Sequence, residues 1–96
     1  MNTIMVDYDL VSPGQQYTRI IDYIKGHGAW AHALKSKWLI RTNKTAMQVR
    51  DDVLRLIDTN DKVLVTDVTN ASMAWHGLPS DVSEWIKSYD RPQVWR

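Results

Sequence analysis

The chain has 96 residues, of which 44% are hydrophobic and 24% are charged, and its formal net charge is +1. This length corresponds to one small domain, and the composition is typical of a soluble globular protein. The absence of cysteine excludes disulfide bonds and thiolate metal sites, and the lack of any run of about 18 apolar residues excludes a membrane-spanning helix. The N-terminal residues lack the pattern of a secretory signal peptide, so the sequence predicts a cytoplasmic protein without a membrane partner.

The first predicted element is a strand over residues 3–9, and its apolar run is interrupted by Asp7 and Asp9. These two side chains are expected to project side by side, because residues two apart on a strand share a face. A carboxylate on a half-buried strand costs free energy unless it is paired, hydrated or bound to a cation. The pair therefore either lies at a hydrated edge or marks a site for a metal, a partner or a nucleic acid.

A helix is predicted after this strand, beginning near Ser12. Ser12 suits an N-cap, Pro13 suits the first helical position, and Gln15 is placed as in a capping box. The apolar residues that follow recur at helical spacing and predict one buried stripe. They are Tyr17, Ile20, Ile21 and Ile24. The glycines on either side of His27 are expected to end the helix.

Three further strands and a second helix are predicted next. The strands are short apolar and β-branched runs over residues 29–34, 37–42 and 62–68. Thr45 and Gln48 have the spacing of a capping box, which predicts a second helix that ends at residues 59–61. Its buried stripe is predicted to consist of Ala46, Val49, Val53, Leu56 and Ile57.

The order strand, helix, strand, strand, helix, strand is that of ferredoxin-like domains. The sequence therefore predicts an α+β fold of βαββαβ order, with a four-stranded antiparallel sheet and two helices on one face. Beyond it, residues 71–76 predict a short fifth strand, and Ser80 is expected to cap a last helix that runs to about Tyr89. We expect a single domain over residues 1–90 and a tail over 91–96.

Positive charge is concentrated in one segment without any acidic residue. Its cations are Lys35, Lys37, Arg41, Lys44 and Arg50. Cationic side chains supply the nonspecific part of nucleic-acid affinity, so this basic strip predicts contact with DNA or RNA. The alternative is a solvated hairpin and helix start without a ligand.

The histidines do not predict a metal or cofactor site. His27, His32 and His76 lack the spacing of zinc ligands, and none forms a recognisable triad with a serine. No phosphate-binding glycine loop is present, so we expect no organic cofactor.

Several short motifs form a recognisable set: Tyr8-Asp9 at the end of the first strand, Gly28, and residues 36–39, 56–58 and 61–65. Together they resemble the CRISPR-associated protein 2 superfamily. With residues 68–69, 74–75 and 82–87 included, the chain is still more similar to the small SinR-like proteins grouped with that superfamily. The resemblance implies a ferredoxin-like homodimer.

The resemblance also implies roles for individual positions. In that superfamily the aspartate that ends the first strand lies near the dimer two-fold axis, and here this residue is Asp9. It has been associated with divalent metal and nuclease activity in some members and is dispensable for a structural role in others. The segment after the fourth strand commonly adds to the partner's sheet, which assigns that role to residues 71–76. Members that grip DNA usually have an arginine-rich start of the first helix, where this chain offers only Arg19.

Two functions follow from these observations. The preferred prediction is a non-enzymatic homodimeric scaffold or binding protein that contacts nucleic acid through the basic strip. The alternative is a metal-dependent nuclease in which Asp9 of each protomer holds Mg²⁺ or Mn²⁺, with Asp7 as a second ligand. A simpler interpretation of Asp9 is a hydrogen bond to the turn around Ser12.

Overall fold

Strands and helices follow one another in the order βαββαβα in the computed structural model, which describes residues 1–11 and 15–88. The elements are β1 (Asn2–Asp9), α1 (Gln15–Lys25), β2 (Trp30–Leu34), β3 (Lys37–Thr42), α2 (Ala46–Leu54), β4 (Lys62–Asp67) and α3 (Ser80–Lys87). The strands form one antiparallel sheet in the order β2-β3-β1-β4. The prediction of an α+β fold with a four-stranded antiparallel sheet is confirmed, and the described residues include three helices.

The first face of the sheet is buried beneath α1 and α2, because alternate residues of the strands point towards these helices. Its fully buried side chains are Ile4, Val6, Ile20, Ile24, Ile40, Val49 and Val53. Burial of each such side chain contributes about 1.5–3 kcal/mol. The predicted helix stripes are confirmed for Ile20 and Ile24 on α1 and for Val49 and Val53 on α2, and Tyr17 and Ile57 pack against them.

The second face of the sheet, opposite α1 and α2, is covered only in part. Ala31 and Leu39 are buried on it against Val82 and Ile86 of α3. The far part of this face, next to β4, leaves Leu64 66% exposed. The sheet therefore separates a closed core from a face that is half covered.

The start of α2 is as the sequence predicts. The Thr45 hydroxyl accepts from the Gln48 backbone N–H at 3.2 Å, and the Gln48 side chain accepts from the Thr45 N–H at 2.9 Å. This reciprocal pair satisfies two of the helix's unpaired donors.

The end of α2 differs from the prediction, because the helix stops at Leu54 rather than at residues 59–61. The Leu56 N–H bonds the Val53 carbonyl at 2.8 Å, which tightens the last turn. The Asp61 carboxylate accepts from the Asp58 N–H at 2.9 Å. In a continued helix this N–H would instead donate to a backbone carbonyl four residues earlier, so a side chain takes the place of that carbonyl.

The fifth strand predicted over residues 71–76 is reduced to a single bridge residue, Met73. The alternation of larger and smaller side chains in this segment nevertheless indicates which residues are packed, since Met73 and Trp75 both pack on the second face. The segment leaves the sheet after β4 at a turn in which Asn70 has a φ of 59°. Its backbone therefore finds no continuous ladder within the described chain, and a strand requires one.

The C-terminal helix is confirmed, although its cap is not the predicted one. The N-cap of α3 is Pro79 and carries no side-chain cap bond, so Ser80 is already helical. The helix ends at Lys87 with Ser88 as its C-cap, slightly before the predicted end at about Tyr89. The predicted cap of α1 at Ser12 and Pro13 and the tail over 91–96 lie outside the described residues.

Candidate functional site on the second face

An open hollow of about 500 Å³ lies on the uncovered part of the second face. The strand register creates it, because Asp7 lies between Lys37 of β3 and Leu64 of β4, and Asp9 lies opposite Lys62. Its lining includes Asp7, Asp9, Leu34, Lys37, Lys62 and Leu64. The predicted placement of the two carboxylates on one face is thus confirmed, and both meet the same hollow.

The two carboxylates differ in their partners. The Asp7 carboxylate lies 3.5 Å from the Lys37 ammonium, a half-exposed pair that water screens. Asp9 is exposed, and its carboxylate makes no ion pair or hydrogen bond with another residue of the described segments. Asp9 is therefore the unpaired carboxylate of the hollow among the described residues, and its alternative hydrogen bond to the turn around Ser12 lies outside them.

Apolar side chains are exposed beside these charges. Leu34 is 54% and Leu64 is 66% exposed. A bulge between His32 and Leu34 lets Leu34 pair with Lys37, which turns its side chain to the second face. The Tyr8 N–H donates to the Ser36 carbonyl at 3.1 Å and holds the adjoining turn against β1.

Asp61 positions the end of β1, and the sequence analysis did not single it out. Its carboxylate accepts from the Val11 N–H at 2.7 Å and from the Asp58 N–H at 2.9 Å. The two bonds tie the chain after β1 to the loop before β4. An aspartate at the end of a turn-rich segment was the only signal available in the sequence.

The structure does not bring the basic strip together on one surface. Lys35 and Lys37 lie at one end of β3, whereas Arg41 lies near the other, four residues or about 13 Å along the strand. Lys44 forms a short ion pair with Asp52, and Arg50 pairs with Asp51 at 2.7 Å.

Arg41 is only 3% exposed and holds α3 on the sheet. Its guanidinium lies 3.6 Å from the ring centre of Trp85 and donates to the Trp85 carbonyl at 2.9 Å. A second bond runs to the Ser88 hydroxyl at 3.3 Å. In this structure the side chain packs beneath a helix and does not face a ligand surface.

A titratable cluster lies on the other side of the molecule, between α1 and α2. The Tyr23 hydroxyl donates to the Asp52 carboxylate at 2.7 Å, and Lys44 binds the same oxygen. These two bonds lower the pKa of Asp52, while burial, and then the bond to Asp52, raises the pKa of Tyr23. The His27 ring packs edge-on against Tyr23 at 4.8 Å, and its Nε2 is buried without a hydrogen-bond partner among the described residues.

The burial of His27 predicts a pH dependence of stability. Burial first, and then the nearby Lys44 charge, lowers the pKa of His27 from its ordinary 6.5. The folded state thus favours the neutral ring, so this stabilisation is present above the ordinary pKa and is lost as the pH falls through the lowered one. We expect the free energy of unfolding, measured in urea, to decrease between about pH 7 and about pH 5. The variant His27→Phe should show a shallower decrease, and identical slopes for both proteins would contradict the assignment.

Comparisons with protein families and with solved structures found no match for this chain. None of the described helices is long and apolar enough to cross a membrane. Within residues 1–11 and 15–88, no group of three or more His, Cys, Asp or Glu side chains is arranged to hold a metal ion.

Proposed function

We propose that this protein is a homodimeric scaffold or binding protein with a ferredoxin-like fold, whose copies meet through the hollow on the second face. The βαββαβ order of the first six elements supports the fold. The strand order, read from the other edge as β4-β1-β3-β2, also suits this fold. Each of the helices α1 and α2 connects two strands that are consecutive in the chain but have one other strand between them in the sheet. The resemblance to CRISPR-associated protein 2 and SinR-like proteins points to the same assembly.

One observation carries the proposal: exposed leucines lie beside charges of both signs in a single open hollow. A two-fold interface uses the same patch on both copies, so the patch must complement itself. Leu34 and Leu64 of one copy can pack on those of the other. Asp9, which has no ionic partner among the described residues, can then meet a lysine of the second copy, such as Lys62.

The edge of the sheet supplies a second contribution. β4 pairs only with β1, so no described strand covers its outer side. Exposed strand edges bind extended segments through backbone hydrogen bonds. Residues 71–76 have the alternation of a strand but only one bridge residue, so we assign them to the edge of β4 in the second copy.

The oligomeric state tests this proposal. Light scattering at micromolar concentration should give the mass of a dimer. Leu64→Glu places a charge in the centre of the interface and should give a monomer of unchanged circular dichroism. Leu54→Glu is the matched control, because Leu54 is 52% exposed on α2, away from the hollow, and this variant should stay dimeric. A monomeric parent protein, or equal behaviour of the two variants, would refute the proposal.

The exposed carboxylate of Asp9 favours a second candidate, a metal-dependent nuclease. The described residues of one protomer do not complete a metal site, because Asp7 is paired with Lys37 and the hollow beside Asp9 is lined by lysines. Two copies would add a second Asp9, and a bound Mg²⁺ or Mn²⁺ would polarise a phosphodiester. Cleavage of RNA or DNA that requires the metal and is lost in both Asp9→Asn and Asp9→Ala would support it. Cleavage that survives both substitutions would refute it.

A further inference from the structure

Three aromatic rings form a row across β2 and β3 on the first face of the sheet. Trp30 and Trp38 lie 5.5 Å apart between ring centres, and His32 lies parallel to Trp38 at 3.8 Å with an angle of 4°. His32 and Trp38 are directly opposite in the strand register, so the backbone enforces this stack. We call Trp30, Trp38 and His32 the aromatic row.

The outer end of the aromatic row is open. Trp38 is buried, whereas His32 is exposed, and His32 makes no other ring contact with the described chain. The His32 Nε2 lies 3.2 Å from the Lys35 carbonyl, which fixes the orientation of the ring. A flat, oriented ring therefore presents one face to solvent while its other face is supported by Trp38.

Cations flank the aromatic row at both ends. The Lys25 ammonium lies 5.0 Å from the ring centre of Trp30. Lys35, in the turn after β2, is exposed beside His32. An aromatic face between two cations matches the chemistry of a nucleotide, whose base stacks and whose phosphates carry negative charge.

We propose that the aromatic row binds single-stranded nucleic acid, with a base stacked on the outer face of His32 and adjacent phosphates near Lys25 and Lys35. An unpaired base is required, because the faces of paired bases are covered by their neighbours in a duplex. The dispersal of the basic strip argues for the same ligand, since duplex binding through phosphates alone needs aligned cations. The aromatic row lies on the opposite face from the hollow, and Lys35, in the turn after β2, lines the hollow as well.

The test measures anisotropy of fluorescein-labelled oligothymidylate and oligoadenylate, each as DNA and RNA, at low salt. His32→Ala should weaken binding by about fivefold or more, since about fivefold is the lower limit of what stacking contributes per base. His32→Tyr keeps a stacking ring and should restore affinity. Leu54→Ala removes an exposed side chain of α2, outside both the aromatic row and the hollow, and should bind as the parent protein does.

Circular dichroism first establishes that every variant is folded, and the binding results then support or contradict the proposed site. A loss in His32→Ala with rescue in His32→Tyr supports the site, and the DNA and RNA arms show whether the 2′-hydroxyl contributes. Equal binding by the parent protein and His32→Ala overturns it. Tighter binding of a hairpin duplex than of the single strands, or binding of a proline-rich peptide in place of every oligonucleotide, overturns it as well.

Discussion

Replacement of Trp38 by alanine is expected to lower the free energy of unfolding by about 3–5 kcal/mol, the range for large-to-small changes of buried aromatic residues. Trp38 is 2% exposed and packs in the closed core. Its loss would open a cavity in the closed core and remove the support on which His32 stacks. Urea unfolding at one fixed protein concentration measures the change.

A conservative variant separates packing from hydrogen bonding at this position. The Trp38 Nε1–H donates to the Tyr8 hydroxyl at 3.0 Å. Trp38→Phe keeps most of the apolar volume but leaves that buried hydroxyl without its donor, so we expect a loss of about 1–3 kcal/mol. A Trp38→Ala variant no less stable than Trp38→Phe would show that packing of the indole does not stabilise the core.

Removal of the Arg41 side chain is expected to cost about 2–4 kcal/mol, because a desolvated cation–π contact and charge-assisted hydrogen bonds are lost together. Arg41→Lys keeps the charge but not the planar, multidentate guanidinium, so it should recover only part of the loss. Arg50→Ala is the matched control, since Arg50 is exposed and, among the described residues, pairs only with its neighbour Asp51. That variant should change stability by about 0.5 kcal/mol or less.

A double-mutant cycle assigns the effect of Arg41 to its contact with Trp85. Arg41→Ala, Trp85→Ala and the double variant should be non-additive by about 0.5–3 kcal/mol. The near-ultraviolet circular dichroism of Arg41→Ala should also change, because α3 carries Trp85 above the guanidinium. Additive losses would show that Arg41 acts elsewhere.

The sequence predicted those parts of the fold in which a local signal and a buried face coincide. The bounds of β3 were predicted as observed, because its apolar run ends in charged and polar residues. The start of α2 was also predicted correctly, because the capping box at Thr45 and Gln48 is local. The end of α2 was not, since it depends on the Asp61 carboxylate folding back on the loop.

The candidate site was predictable to a smaller extent. Strand periodicity placed Asp7 and Asp9 on one face, and the register confirms it. The basic strip does not form a single surface: Lys37 and Arg41 share the second face, but α3 covers Arg41, and Lys44 and Arg50 are paired with aspartates of α2. Arg41 alternates onto the second face beneath α3, a helix whose position no local pattern encodes. The bulge that exposes Leu34 likewise has no recognisable motif.

The division of apolar residues by the sheet has a consequence for the dynamics of the protein. The closed core joins β1, β3, α1 and α2, whereas α3 is held by a smaller cluster and by Arg41. Small proteins open in cooperative units whose free energies range from near zero to that of global unfolding. Opening of α3 alone would uncover Leu39 and Met5 while the closed core persisted. Amide hydrogens of α3 should therefore exchange with solvent long before those of β1, and the molecule would present a larger apolar face in that brief state than in its ground state.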